Sequence, residues 1–390
     1  MNTSITTTFI EPLDVLFLRG NKLFGDAGSF GESLIPPWPS VAAGALRSAV
    51  LVAKRINIPA FARGEVTDAE LGSPKDPDAG SFALHGFQLA RKADNGAVER
   101  LYPLPADWIV SLKGDAKTLS INALRPTVPH AALSASNPLP MLPLLPETER
   151  SKAEGGLWLT QAGWADYLHG RIPSISELVK TSDLWRLDPR VGIGMNNATG
   201  SVEDGKLFTA QAISFNKGMG FVADTVGVDL SKIQLLRFGG DGRGATCYPV
   251  TLPVSAADYA AIGKTRRMKL VLTAPALFAG GWLPDGVTRN ESGAYVLNVA
   301  GVKATLVCAA VPRMDVASGW DLAQHAPKAA DRVVSAGAVY WFDAVAANAD
   351  ALTDWVLAGL WGDARNAANA TSAARRTEGL NRFALATWAP

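Results

Sequence analysis

Histidine and cysteine are scarce, with four of the first and two of the second in 390 residues. His85, His130, His169 and His325 are scattered, none of them four residues from another or beside a carboxylate at metal-ligand spacing, so no metal site can be read. His85, beside Phe87 in a strand-like run, reads as structural; His325, in a Pro/Lys loop, is the one to watch, a plain surface histidine being the alternative. Cys247 and Cys308 lie far apart in apolar surroundings and read as buried free thiols of a reducing cytoplasm. Apolar runs of membrane-spanning length are missing, and the polar MNTSITTT stretch is no signal peptide, so a soluble cytoplasmic protein without membrane contact is expected. An excess of either charge is missing too, at 37 basic against 36 acidic residues. A free-standing nucleic-acid binder is usually more basic, although a local basic groove is compatible with this balance. Gly192-Ile193-Gly194 lacks the third glycine and the following helix of a dinucleotide fingerprint, and Phe238–Gly244 lacks the Gly-Lys-Ser/Thr ending of a P-loop. No metal and no cofactor is expected.

What is present is core-forming material: 48% of residues are hydrophobic and 19% charged, in a chain long enough for two or three domains. The stretch from Pro12 to Arg55 organises the rest. It reads as a strand (Leu13–Leu18), a Gly-rich loop over Asn21–Ile35, a Pro-Pro-Trp-Pro turn and a helix opened by Ser40, whose hydroxyl can accept from first-turn amides. At about 100° per residue, Val41, Ala42, Ala45, Leu46, Ala49, Val50, Val52 and Ala53 form an apolar arc, with Ser40, Gly44, Arg47, Lys54 and Leu51 opposite. The polar side suits either an anion or plain solvation.

Further along, Phe82–Ala90 and Val98–Tyr102 read as a hairpin turned by Asp94-Asn95-Gly96. Prolines from Pro103 to Pro146 predict an irregular insertion lying over the surface, with a short helix in Leu157–Gly170. Asp188–Asn197 reads as a turning, glycine-rich segment. Leu207–Asn216 and Met219–Val226 are strands joined by Lys217-Gly218, and Lys232–Arg243 and Thr246–Leu252 are two more. A boundary is expected near Ser255–Lys264, dividing 1–255, with an insertion at about 103–187, from 256–390. The second part runs Met268–Leu277, Ala304–Pro312 and Gly337–Asp343 as strands, Ala349–Trp361 as a helix and Leu380–Trp388 as a closing strand, with one crossover lost near Trp282–Val302. The pattern alone gives α+β with antiparallel sheets. The loops beside Arg190 and beside Arg237 and Arg243 are either turns needing positive φ or places where an RNA backbone comes close.

Several segments in chain order resemble the RAMP-superfamily subunit of type III-B (Cmr) CRISPR effector complexes that binds the guide RNA 5′ handle. Pro12–Arg19 matches a Pro-Leu-Asp-x-Leu-Phe-hydrophobic-Arg strand, and Pro36–Arg47 matches Pro-Pro-x-Pro-Ser followed by Ala-Gly-Ala-Leu-Arg. Arg190–Gly194 with Leu207–Ala210, and Gly239–Arg243 with Asp241 in the acidic place, match two more. So do Thr273–Phe278 with Gly281–Pro284, where Ala274 interrupts Thr-Pro, and Ser318–Leu322 with Pro327, Lys328, Arg332 and Gly337–Tyr340. Thr377-Glu378-Gly379 departs from the glycine-rich turn the family would place there.

The resemblance implies two ferredoxin-like (RRM-like) RAMP domains with antiparallel sheets and long insertions. It also implies a subunit without catalysis that grips the crRNA 5′ handle and docks the large polymerase/cyclase-like subunit and the first backbone RAMP subunit. The RNA-contact positions it points to are Arg19, Asn21, Lys22, Ser40, Arg47, Arg190, Asn196, Lys217, Arg243 and Lys328. Trp38 stacks a base or pins the proline turn, and Trp282 and Trp320 are similar cases. The alternative is a metal-independent RAMP endoribonuclease, which needs a general acid or base near the glycine-rich loop, where no histidine lies close in sequence. A scaffold that never meets RNA is the third reading.

Overall fold

Residues on Thr6–Pro12 (β1) alternate between two buried layers: Ile10 faces the core under helix Pro39–Ala53 (α1), and Phe9 packs on the opposite side with Ala90 and Val222. The computed structural model describes residues 4–20, 30–113, 118–131, 135–146, 152–196, 198–321, 324, 326–361 and 370–388. The strands used below are, further, Phe30–Gly31 (β2), Ala83–Lys92 (β3), Val98–Arg100 (β4), Trp185–Met195 (β5), Val202–Phe215 (β6), Met219–Val226 (β7), Leu235–Arg237 (β8) and Gly244–Pro249 (β9). After these come Met268–Leu272 (β10), Val287–Arg289 (β11), Tyr295–Val299 (β12), Val302–Ala310 (β13), Val339–Ala346 (β14) and Phe383–Thr387 (β15). Besides α1, the helices used below are Gln161–Leu168 (α2), Tyr259–Thr265 (α3), Ala349–Ala358 (α4) and Ala370–Thr377 (α5).

Two six-stranded sheets dominate, ordered β8–β9–β1–β7–β3–β4 and β11–β12–β13–β14–β10–β15, with antiparallel neighbours throughout. The runs β9–β1–β7–β3 and β15–β10–β14–β13 share one order: fourth, first, third and second core strand of their half. The chain is therefore α+β with antiparallel sheets. No helix among the described residues is long and apolar enough to cross a membrane.

The helix of the first sheet is α1. It begins at Pro39 with Trp38 as an extended cap residue, not at Ser40, and no side chain caps it. Proline at the first helical position suits its fixed φ and missing N–H, which displaces Ser40 into the first turn. Leu51 is buried and Val52 exposed, so the buried face is rotated from the expected arc. Leu13–Leu18 is not a strand of either sheet. Leu16, Phe17 and Leu18 are all buried, without the alternation of a half-buried strand, because the segment threads between other elements. Strand β8 covers only the centre of Lys232–Arg243, and the Trp282–Val302 region supplies the hairpin β11–β12 in place of a crossover helix.

The second sheet buries both faces. Leu270, Leu272, Leu306, Tyr340 and Phe342 pack against α3 and α4 through Ile262, Leu352 and Trp355. The opposite face, with Val271, Cys308, Val339, Trp341 and Ala386, is covered by the insertion through Tyr102, Trp108, Leu159, Trp164, Tyr167 and Leu168. The expectation of an irregular insertion lying over the surface is corrected here. Its prolines interrupt regular structure, yet Trp108–Lys113 and Thr118–Ala123 form a hairpin, and α2 supplies the aromatic layer. The Tyr102 and Trp164 rings stack at 4.3 Å, and Trp108 meets Tyr167 edge-on at 4.8 Å.

The two halves meet at α5, which packs on β3 and on the Pro77–Ala79 turn. Gly379 has φ +86°, and a Cβ there would lie 2.9 Å from Leu84 O, so only glycine fits the close approach.

Candidate nucleic-acid interface

The segment after β1 is fixed by backbone hydrogen bonds to its surroundings. Leu16 N–H donates to Ile213 O at 2.9 Å and Leu16 O accepts from Ile213 N–H at 2.8 Å, which ties it to β6. Leu34 N–H donates to Leu18 O and Gly240 N–H to Phe17 O, both at 2.7 Å. Gly239 is left-handed (φ +76°), and a Cβ would lie 2.9 Å from Phe17 O. The Gly239–Arg243 loop can thus close against Phe17 only with glycine at 239.

That closure aims Arg243 at the segment. Its Nη1 donates to Asp14 Oδ2 at 2.6 Å, and its guanidinium lies 5.3 Å from the Phe17 ring centre. Arg19 faces Asp241 at 4.0 Å and is 57% exposed at its side chain. Arg190 on β5 is held by Asp188 through Nε (3.0 Å) and Nη2 (2.8 Å). The Asp14 carboxyl stays below its ordinary value, first because Val15 N–H donates to it at 2.7 Å, with desolvation opposing and the charges of Arg243 and Arg190 adding to the lowering. Arg19 and Arg243, far apart in the chain, therefore meet at one short segment, where the charge of Arg190 is also felt. Guanidinium groups are suited to meeting phosphate oxygens.

Asp188–Asn197 is a correction to the sequence reading. Through Met195 it is strand rather than turn, paired residue for residue with β6 from Trp185 to Ile193 and, after a register shift, again at Met195, so much of its backbone is already hydrogen-bonded. Gly192 and Gly194 are needed for cross-strand room, since a Cβ would lie 2.4 Å from the Phe208 ring and 2.7 Å from Lys206 Cβ. On the other face Val191 (71% exposed), Ile193, Met195, Val202 and Leu207 stand open. Strand β2 joins the far side of β6 in parallel, completing a three-stranded ribbon.

The remaining nominated positions separate. Asn196 shapes the ribbon tip, its Oδ1 accepting from Ala198 N–H at 2.9 Å and Thr199 N–H at 3.2 Å. Ser40 is half-buried in α1. Arg47 points inward: Nη2 donates to Thr377 Oγ1 at 2.5 Å, the guanidinium lies 5.1 Å from the Phe82 ring, and burial lowers its pKa against the opposing charge of Glu378. Lys328 pairs with Glu378 at 3.4 Å beside that same junction. Lys217, 93% exposed, pairs with Asp94 at 3.2 Å, at the end of β6 away from the ribbon tip. Asn21, Lys22, His325 and Asn197 lie outside the described residues. Sequence reasoning missed the carboxylates Asp14 and Asp188. A signal for the second existed, since Asp188 and Arg190 are two apart in what is in fact a strand and so share a face.

The family model for the CRISPR-associated protein Cas_Cmr3 matches residues 8–388. No curated protein matches. Among solved structures, a chain of the type III-B Cmr-beta complex bound to cognate target RNA is similar over 94% of both chains, with 17% identity and a TM-score of 0.49. A chain of that complex bound to cognate target RNA and AMPPnP, in state 1, is similar over 86% of both, with 16% identity and a TM-score of 0.44.

Proposed function

Because the chain belongs to the CRISPR-associated Cas_Cmr3 family, we propose that it is a non-catalytic subunit of a type III-B Cmr effector complex, active in the cytoplasm, that grips the 5′ handle of the guide RNA. The observation carrying this reading is the placement of Arg243 on Asp14 and Phe17, with Arg19 against Asp241 of the loop closed on Phe17 and the charge of Arg190 felt at Asp14. Arginine is suited to the role because its planar fork donates to two oxygens of one phosphate. RNA held in this way is recognised by backbone position and splayed bases rather than by groove reading. Asn21 and Lys22 are further contacts in this reading, as are Asn196 and Ser40, and Lys217 contributes from the far end of β6. Arg47 and Lys328 act indirectly in this reading, since both are engaged at the junction of the halves. The shared strand order of the two sheets supports reading each half as an elaborated ferredoxin-like RAMP unit. The large polymerase/cyclase-like subunit and the first backbone RAMP subunit dock on it, and the open apolar face of the β5–β6 ribbon is available for contact within such an assembly.

Co-expression with the neighbouring genes, purification of the assembly and sequencing of its RNA tests the proposal. Short RNAs with one fixed 5′ end, depleted by Arg190→Ala with Arg243→Ala while the assembly persists, are the expected result. An intact assembly with unchanged RNA would leave a scaffold. RNA cleaved by the purified chain alone would replace this reading with the endoribonuclease.

A further inference from the structure

We infer that Asp14, Asp188 and Asp241 are specificity-determining residues of this interface: each carboxylate occupies one arginine in the free protein, so that polyanions presenting phosphates at the wrong places gain little. The inference rests on the RNA-binding reading above. Each arginine of the cluster has its own carboxylate, Arg243 with Asp14 at 2.6 Å, Arg190 with Asp188 at 2.8 Å and Arg19 with Asp241 at 4.0 Å. The same pairing recurs at the nominated lysines among the described residues, Lys217 with Asp94 and Lys328 with Glu378, in a chain whose basic and acidic residues number 37 and 36.

Exposed ion pairs are weak, so they do not block RNA outright. They change what RNA must offer. A phosphate meeting an unpaired arginine releases its condensed counterions, the term that drives non-specific binding. A phosphate meeting a paired arginine must first displace a carboxylate, which stays nearby and repels any phosphate not placed over the guanidinium. Ligands contacting several arginines together overcome this, whereas a ligand contacting one does not, and such built-in repulsion is a general route to specificity. Geometry keeps the carboxylates in place. Val15 N–H fixes Asp14, the β5 register puts Asp188 on the face of Arg190, and Asp241 has left-handed backbone (φ +57°) in the loop closed against Phe17.

The test compares the full chain with D14N/D188N/D241N and with R19A/R190A/R243A. Asparagine keeps the acceptor for Val15 N–H and tolerates the left-handed backbone at 241, so the first variant should fold normally, as its melting curve would check. Fluorescence anisotropy is followed against salt with two probes, the guide RNA recovered from the co-expressed assembly and an oligouridylate of equal length. The expected result is that the asparagine variant binds oligouridylate about tenfold more tightly, with a salt slope steeper by about 0.7 for each arginine released. Its preference for guide RNA should fall. Unchanged oligouridylate affinity and slope in the asparagine variant, with guide binding lost in the alanine variant, overturns the inference and leaves the interface standing. Guide binding unchanged in the alanine variant overturns both.

Discussion

Lys269 Nζ lies 2.9 Å from Asp107 Oδ2 and 4.0 Å from the centre of the Tyr167 ring, in a junction where all three residues are buried. Lys269 belongs to β10, Tyr167 to α2, and Asp107 to the start of the insertion. The charge pair therefore ties the insertion to the sheet face it covers, while the aromatic layer around it supplies apolar burial. Desolvation costs each ion several kcal/mol, which the partner and the ring offset only when both are present.

Lys269→Ala should accordingly cost about 3–5 kcal/mol, because it leaves the Asp107 carboxylate buried without a counter-charge. The double variant Lys269→Met with Asp107→Leu should recover most of that loss. Urea unfolding of the three proteins checks both. A double variant as unstable as the single one would mean that the pair fixes structure which apolar contacts cannot replace.

Stability should fall at mildly acidic pH through His85. Burial first, and the charge of Arg382 second, push its pKa down from 6.5 to about 4, with Asp224 opposing. The unfolded chain then takes up a proton near pH 6.5 that the folded chain refuses until about pH 4, so stability declines across that window. The full effect is roughly 3 kcal/mol at about 1.4 kcal/mol for each pH unit. Below it, Asp224 adds a further loss as its carboxyl, held down by Arg100 against strong desolvation, is protonated. His85→Gln should flatten the window between pH 6.5 and 4 in melting curves and leave the lower limb intact.

The two thiols should resist alkylation in the folded protein. Burial raises Cys247 to about 11 and Cys308 to about 12, and Cys247 Sγ also donates to Ile233 O at 3.0 Å. Only the thiolate reacts, so native labelling by iodoacetamide at neutral pH should be at least about a hundredfold slower than labelling in denaturant. Mass spectrometry over time reads the difference.

Gly239→Ala should cost about 1–3 kcal/mol, since it puts a Cβ both in left-handed backbone and 2.9 Å from Phe17 O. It should also lower RNA retention by pushing the Gly239–Arg243 loop off Phe17 and so displacing Arg243 from its place beside that segment. Gly96→Ala offers the contrast: it shares positive φ but has no atom within 4 Å of a Cβ, so its cost should be strain alone, with RNA retention unchanged.

The sequence by itself determined most of the elements. Alternation over Leu207–Asn216 marked most of β6, Met219–Val226 read as the strand β7, Asp94-Asn95-Gly96 marked the β3–β4 hairpin, and Leu157–Gly170 and Ala349–Trp361 held the helices found at Gln161–Leu168 and Ala349–Ala358. These signals are local, arising from side chains two to four residues apart, and so can be read along a line. Arg47 and Arg243 show what only the tertiary structure decided. Both looked like exposed cations, yet Arg47 meets Thr377 and Phe82 inside the junction, while Arg243 joins Arg19 and Arg190 at the surface. Likewise the proline-rich insertion carries no mark of the sheet face that it covers. Which charges pair and which faces close depends on contacts between residues hundreds of positions apart, such as Arg47 with Thr377 or Asp14 with Arg243, and only the packed fold brings those together.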